Sequence, residues 1–96
     1  MRKEEKIVLV PVSEAQRQAI REAREQLNLA QAAVDKMARL KKTYVWYVES
    51  GKTKSTDPTR LTRLLQALQK QAERAHVPAR IMARLSRALK EVEKQR

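Results

Sequence analysis

Apolar residues fall at helical spacing over most of the chain, with one exception at the front. Residues 7–10, Ile-Val-Leu-Val, are consecutive, mostly β-branched and closed by Pro11, which predicts a short strand or an extended arm. A lone strand cannot satisfy its own edges, so this one must pair with a copy of itself, lie on a partner or drape across the core. Ser13 followed by Gln16 makes a capping-box pattern. Ala15, Ala19, Ile20, Ala23 and Leu27 then recur on one face, predicting a first helix from about Glu14 to about Leu27 with Asn28 as its stop. A second helix starts near Ala30 and carries Val34, Met37 and Ala38. The next segment, from about Lys42 to Ser50, sets Val45 and Val48 on one side. Gly51, the single glycine of the chain, sits where a helix end needs left-handed backbone.

The stretch KTKSTDP reads as a loop that ends in a helix start, with Asp57 as N-cap and Pro58 as first helical residue. Leu61, Leu64, Leu65 and Leu68 continue as a strong apolar stripe. Pro78 opens the last helix by the same logic. That helix presents Ile81, Met82, Leu85, Leu89 and Val92 on one side, with Arg80, Arg84 and Arg87 elsewhere. The pattern is all-α, with five helices behind a short N-terminal strand or arm. It divides into an arm over 1–12, a central domain over 13–76 and a C-terminal helix over 77–96. No internal repeat or low-complexity linker interrupts it.

Composition agrees with this reading. The chain has 96 residues, enough for one small core, and one glycine and three prolines leave few helix breakers. Without cysteine there is no disulfide and no thiolate metal site, and a reducing compartment is compatible. No apolar run is long enough to span a bilayer. KIVLVPVS is too short for a signal peptide and lacks a small-residue cleavage site, so the expected location is the cytoplasm.

Charge adds more. The net charge of +11 is not spread evenly. Residues 14–38 are neutral, 39–56 hold five cations against one anion, and 77–96 hold six against two. Such blocks point to a polyanion, nucleic acid ahead of an anionic membrane, although a basic face also serves solubility. All three aromatics, Tyr44, Trp46 and Tyr47, stand within four positions of one basic block. With Val45 and Val48 turned inward, Trp46 points largely outward or packs on the loop or last helix. Tyr47 is the more accessible of the two, and Tyr44 packs partly on the second helix. Lys41 and Lys42 oppose the helix dipole at a cost of roughly a few tenths of a kcal/mol each, unless an anion sits nearby.

Several positions between residues 27 and 68 form one pattern without a gap. Leu29-Ala30-Gln31 opens the second helix, Val34 and Ala38 take its apolar core positions, and Leu40 takes an apolar turn position. Val45 and Val48 form a buried pair, Glu49-Ser50-Gly51-Lys52 ends the third helix, and the leucines from Leu61 to Leu68 follow the loop. This pattern resembles the lambda-repressor and Cro type of helix-turn-helix, the family of small phage repressors and many bacterial regulators. Three positions depart from it. Arg39 stands where the family usually has glycine in the turn, Asp35 where it has a small residue, and Lys41 where it has a capping Ser or Thr.

The resemblance implies a five-helix lambda-repressor-like domain whose third helix enters the major groove of double-stranded DNA. Lys41, Lys42 and Thr43 would lie at its leading end, where lysine reaches guanine or phosphate and Thr43, Trp46 and Tyr47 touch thymine methyls or sugars. Gln31 is carried over as a phosphate-positioning residue, its bland alternative being a solvated glutamine. Lys52 and Lys54 are placed to meet backbone phosphates. The family usually pairs on palindromic half-sites, so a homodimer is implied. Ile81, Met82, Leu85, Leu89 and Val92 are its expected main contact and residues 7–10 its support; packing of that helix on its own domain is an equal alternative.

No catalytic or cofactor site is expected. His76 stands apart from any metal-ligand cluster, no serine lies in a nucleophile motif, and no Gly-rich loop is present to cradle a nucleotide. The leading reading is a sequence-specific DNA-binding regulator, a repressor in the bacterial or phage style associated with the nucleoid. Two alternatives stand beside it: an antitoxin whose arm neutralises a toxin, and a basic amphipathic helix, PARIMARLSRALKEV, that binds membranes or an acidic protein groove.

Overall fold

The computed structural model describes residues 8–95, and within them the chain folds as five helices and one two-stranded sheet. Local signals set most helix ends. In α1 (Glu14–Gln26) both halves of the capping box form: the Gln16 N–H donates to Ser13 Oγ at 3.1 Å and the Ser13 N–H to Gln16 Oε1 at 2.9 Å. α1 ends with Asn28 in left-handed backbone at φ 58, so the Asn28 and Leu29 N–H groups close back on the Glu25 and Arg24 carbonyls. α2 (Gln31–Met37) ends the same way at Arg39, φ 56, with Leu40 N–H on the Asp35 carbonyl at 2.8 Å. Arginine therefore adopts the turn conformation for which the family usually has glycine. α3 (Tyr44–Ser50) closes on Gly51 at φ 82. A Cβ there would meet Arg17 only at 3.7 Å, so it is the backbone angle, not space, that calls for glycine. α4 (Pro58–Ala75) starts behind Asp57, whose carboxylate accepts from the Thr59 N–H at 2.9 Å, and α5 (Ala79–Gln95) follows a turn through His76 at φ 55.

Third-helix boundaries differ from the sequence expectation. The helix begins at Tyr44 rather than about Lys42, because Thr43 is left-handed at φ 69 and Lys41 and Lys42 lie in the turn before it. A β-branched residue at positive φ is strained, on the order of 1–3 kcal/mol, and needs surroundings that hold it there.

The strand also differs. Ile7 and the residues before it lie outside the described residues. β1 is Val10–Pro11, so Pro11 belongs to the strand instead of stopping it. Its partner is β2 (Ser55–Thr56), inside the stretch read from sequence as pure loop, with Val10 opposite Thr56 and Pro11 opposite Ser55. The Val12 N–H extends the contact to the Lys54 carbonyl at 2.9 Å. Val10 and Val12 are buried while Leu9 and Pro11 face outward, the alternation a strand imposes.

One apolar core joins all five helices. Leu61, Leu64, Leu65 and Leu68 of α4 are fully buried at its centre, with Ile20 of α1 and Leu85 of α5. α5 packs on both α4 and α1, and the smaller α2 and α3 pack on one another and against α4 and α1. Polar contacts repeat this arrangement: buried Gln16 donates through Nε2 to the Ala88 carbonyl at 3.1 Å, and Gln69 to Ser86 Oγ at 3.1 Å. The helix set apart in the sequence at 77–96 thus packs into the same core as 13–76. Ile81, Leu85 and Val92 are sealed inside it, and Met82 and Leu89 are half-buried against it. Of the five side chains expected to contact a second copy, the latter two keep some accessible surface.

Burial at Leu85 sets a measurable expectation. Leu85→Ala should cost about 2–5 kcal/mol through the transfer energy of the missing atoms and the cavity left behind. The half-buried Leu89→Ala should cost clearly less. Thermal unfolding followed by circular dichroism checks the order; equal losses would show that Leu85 is not a core residue.

Candidate nucleic-acid interface

α3 has seven residues, too few to be stable in water on its own. Two buried carboxylates hold it, one at each end. At the front, Asp35 of α2 accepts from the Thr43 N–H at 3.0 Å and from the Val45 N–H at 2.9 Å. Asp35 is 5% exposed, and it satisfies two of the amide groups that a helix start leaves open. It also sets a negative charge against the positive end of the helix. The Thr43 side chain does not cap; its hydroxyl donates to the Lys42 carbonyl. Two departures from the family pattern are therefore one arrangement: the carboxylate at Asp35 takes the role that a capping hydroxyl would have had. It corrects one expectation as well. An anion already sits at the front of α3, so the helix start does not by itself require a phosphate.

At the rear, Glu49 is 4% exposed and faces α1. Arg24 donates from Nε at 2.7 Å and from a terminal nitrogen at 3.0 Å, a two-point grip on the carboxylate. Gln31 Nε2 donates to the same group at 3.0 Å, and Arg21 Nε lies at 3.7 Å. Arg21 also donates to the Glu49 carbonyl at 3.0 Å, and Arg24 to the Leu29 carbonyl at 2.9 Å. The hydrogen bond to Glu49 raises the Arg24 pKa above its ordinary value despite burial, so the guanidinium stays charged. Removing one partner of such a pair strands a buried charge, at a cost of about 3–5 kcal/mol.

Val45 and Val48 are fully buried, and they anchor the inner face of α3. Tyr44 is half-buried. Its phenol shares a 2.7 Å hydrogen bond with Thr56 Oγ1 on β2, and burial pushes its pKa up. Tyr44 therefore connects α3 to the sheet as well as to the core. The outward positions are Trp46 and Tyr47, 42% and 45% exposed, with Thr43 before them and Ser50 after. The two rings meet edge to face, centroids 5.0 Å apart, and the Lys52 ammonium lies 5.5 Å from the Trp46 ring centroid.

The sequence-derived residues fall into three groups. Lys41, Lys42, Thr43, Trp46 and Tyr47 are exposed on or ahead of α3. Lys52 and Lys54 are exposed on the loop after it. Gln31 is half-buried at the start of α2 with its amide directed to Glu49. Sequence reasoning missed Asp35, Glu49, Arg21 and Arg24 as the groups that set this helix in place. A signal was present: an acid eight positions before a helix start that lacks its usual cap.

Among the described residues no helix is long and apolar enough to cross a membrane, and no cluster of His, Cys, Asp or Glu has metal-binding geometry. In comparison with known families, a family described as helix-turn-helix matches residues 20–74, from the middle of α1 to the last turn of α4. No curated protein and no solved structure gives a match.

The hydrogen bonds of Asp35 are open to test. Asp35→Ala leaves the buried Val45 N–H without a partner and should lower stability by about 1–3 kcal/mol. Asp35→Asn keeps one acceptor and should be milder. Urea denaturation of the two variants checks this, and an unchanged midpoint for Asp35→Ala would show that α3 does not depend on the carboxylate.

Proposed function

The chain belongs to the lambda-repressor-like helix-turn-helix family, whose members are DNA-binding transcription regulators, and on that premise we propose that it is a sequence-specific repressor. It acts by occupying a palindromic operator as a dimer, with α3 in the major groove. The observation that carries this reading is the two-sidedness of α3. Val45 and Val48 are fully buried, while Trp46 and Tyr47 on α3 and Lys41, Lys42 and Thr43 just ahead of it are exposed.

In this reading Lys41 and Lys42 approach the duplex first, meeting phosphate or guanine. Lys52 and Lys54 meet phosphates beyond the helix and set register. Gln31, at the start of α2, is the phosphate-positioning residue, and its bond to Glu49 orients it. The two-fold contact uses Met82 and Leu89 of α5, supported by the exposed Val8 and Leu9 beside β1. The net charge of +11 supplies long-range attraction for any duplex, and the contacts at α3 supply the choice among sequences.

Counterion release gives the test. Binding of a random-sequence duplex, followed by fluorescence anisotropy across a range of salt concentrations, should give a steep logarithmic slope. The double substitution Lys41→Ala, Lys42→Ala should weaken binding and flatten that slope by about one unit for each phosphate that is no longer neutralised. A slope equal to that of the unaltered protein would place both lysines away from the phosphates.

A further inference from the structure

The outward stripe of α3 is Thr43, Trp46, Tyr47 and Ser50, and its chemistry is unusual for a surface expected to read base edges. It contains no Arg, Asn or Gln, the side chains that pair bidentately with guanine or adenine in the major groove. It has no acid to accept from cytosine, because Glu49 is turned inward and gripped by Arg24. Two of its three hydroxyls are committed to local backbone. Thr43 donates to the Lys42 carbonyl, and Ser50 donates to the Tyr47 carbonyl at 3.2 Å and accepts from the Lys52 N–H at 3.4 Å. What remains toward solvent is mainly two aromatic rings, packed edge to face at 83°, with the Lys52 ammonium 5.5 Å from the Trp46 ring centroid.

We propose that this stripe selects thymine, by apolar contact of Trp46 and Tyr47 with the C5-methyl groups that thymine alone among the four bases presents in the major groove. The proposal rests on the major-groove reading of α3 given above. Rings already packed on one another give up little conformational freedom on binding, and a methyl group seated against them leaves water. Polar discrimination then falls mainly to the leading edge, where Lys41 and Lys42 are exposed and have no ion-pair partner among the described residues, and the centre of each half-site is chosen by methyl groups. Tyr47 contributes its ring; its hydroxyl is not required.

The test begins with selection of bound duplexes from a random pool. An enriched duplex is then rebuilt with deoxyuridine in place of thymidine, one position at a time, which removes the methyl group and leaves the pairing intact. Uracil opposite the stripe should weaken binding about fourfold per methyl, the equivalent of about 0.8 kcal/mol each. The double variant Trp46→Ala, Tyr47→Ala should lose that sensitivity, and Tyr47→Phe should keep it. Both rings are exposed, and a melting curve for each variant checks that the fold is intact. An enriched duplex that binds equally well with uracil overturns the thymine proposal and leaves the major-groove reading standing. So does a uracil effect undiminished in the double variant. A pool with no enriched sequence overturns both.

Discussion

A seven-residue helix cannot hold itself in water, and everything that α3 presents depends on the two carboxylates that hold it. Asp35 fixes its first turn and Glu49 its last. Each is buried, and each is satisfied within the fold. The pair works differently at the two ends. Asp35 accepts two amides of the helix start, which fixes direction and keeps Thr43 in a conformation it would not choose. Glu49 is itself a helix residue and is pulled inward by Arg24, Arg21 and Gln31, which fixes rotation about the axis. With direction and rotation both set, the exposed edge is determined.

Surrounding architecture follows from the same need. α1 supplies Arg21 and Arg24, α2 supplies Asp35 and Gln31, α2 rests on α4, and α3 rests on α1 and α2. β1 and β2 pin the loop that leaves α3, and the Tyr44 to Thr56 hydrogen bond links that sheet back to the helix. α5 covers what would otherwise be an open side of α1 and α4, and Leu85 and Val92 complete the core there. Basic side chains that take no part in this scaffold, Lys41, Lys42, Lys52 and Lys54, are exposed, with Lys52 over the Trp46 ring.

The features legible in the sequence are the ones encoded within a few residues. Ser13 with Gln16, Asp57 with Pro58, Gly51, and the apolar spacing from Leu61 to Leu68 each act locally, and each appears in the structure where the spacing puts it. The features that were not legible join residues far apart. Nothing in Ser55 and Thr56 announces a strand, because two residues become one only when Val10 and Pro11 lie alongside. Asp35 reads as a departure until the start of α3 is seen to lack a side-chain cap. Glu49 reads as a surface acid until two arginines from α1 are seen to face it. Of the candidate interface, the residues exposed on it were readable from one helical face, and the residues that aim it were not.

The hydrogen bond from Gln16 to the Ala88 carbonyl has a consequence for biosynthesis. Its two ends are 72 positions apart in the chain. When α1 leaves the ribosome, the segment that will shield Gln16 and complete the shell around Ile20 has not yet been translated. A nascent polypeptide halted before α5 exposes that surface for as long as elongation is paused. The surroundings of Gln16 and Ile20 are therefore complete only when α5 packs against α1.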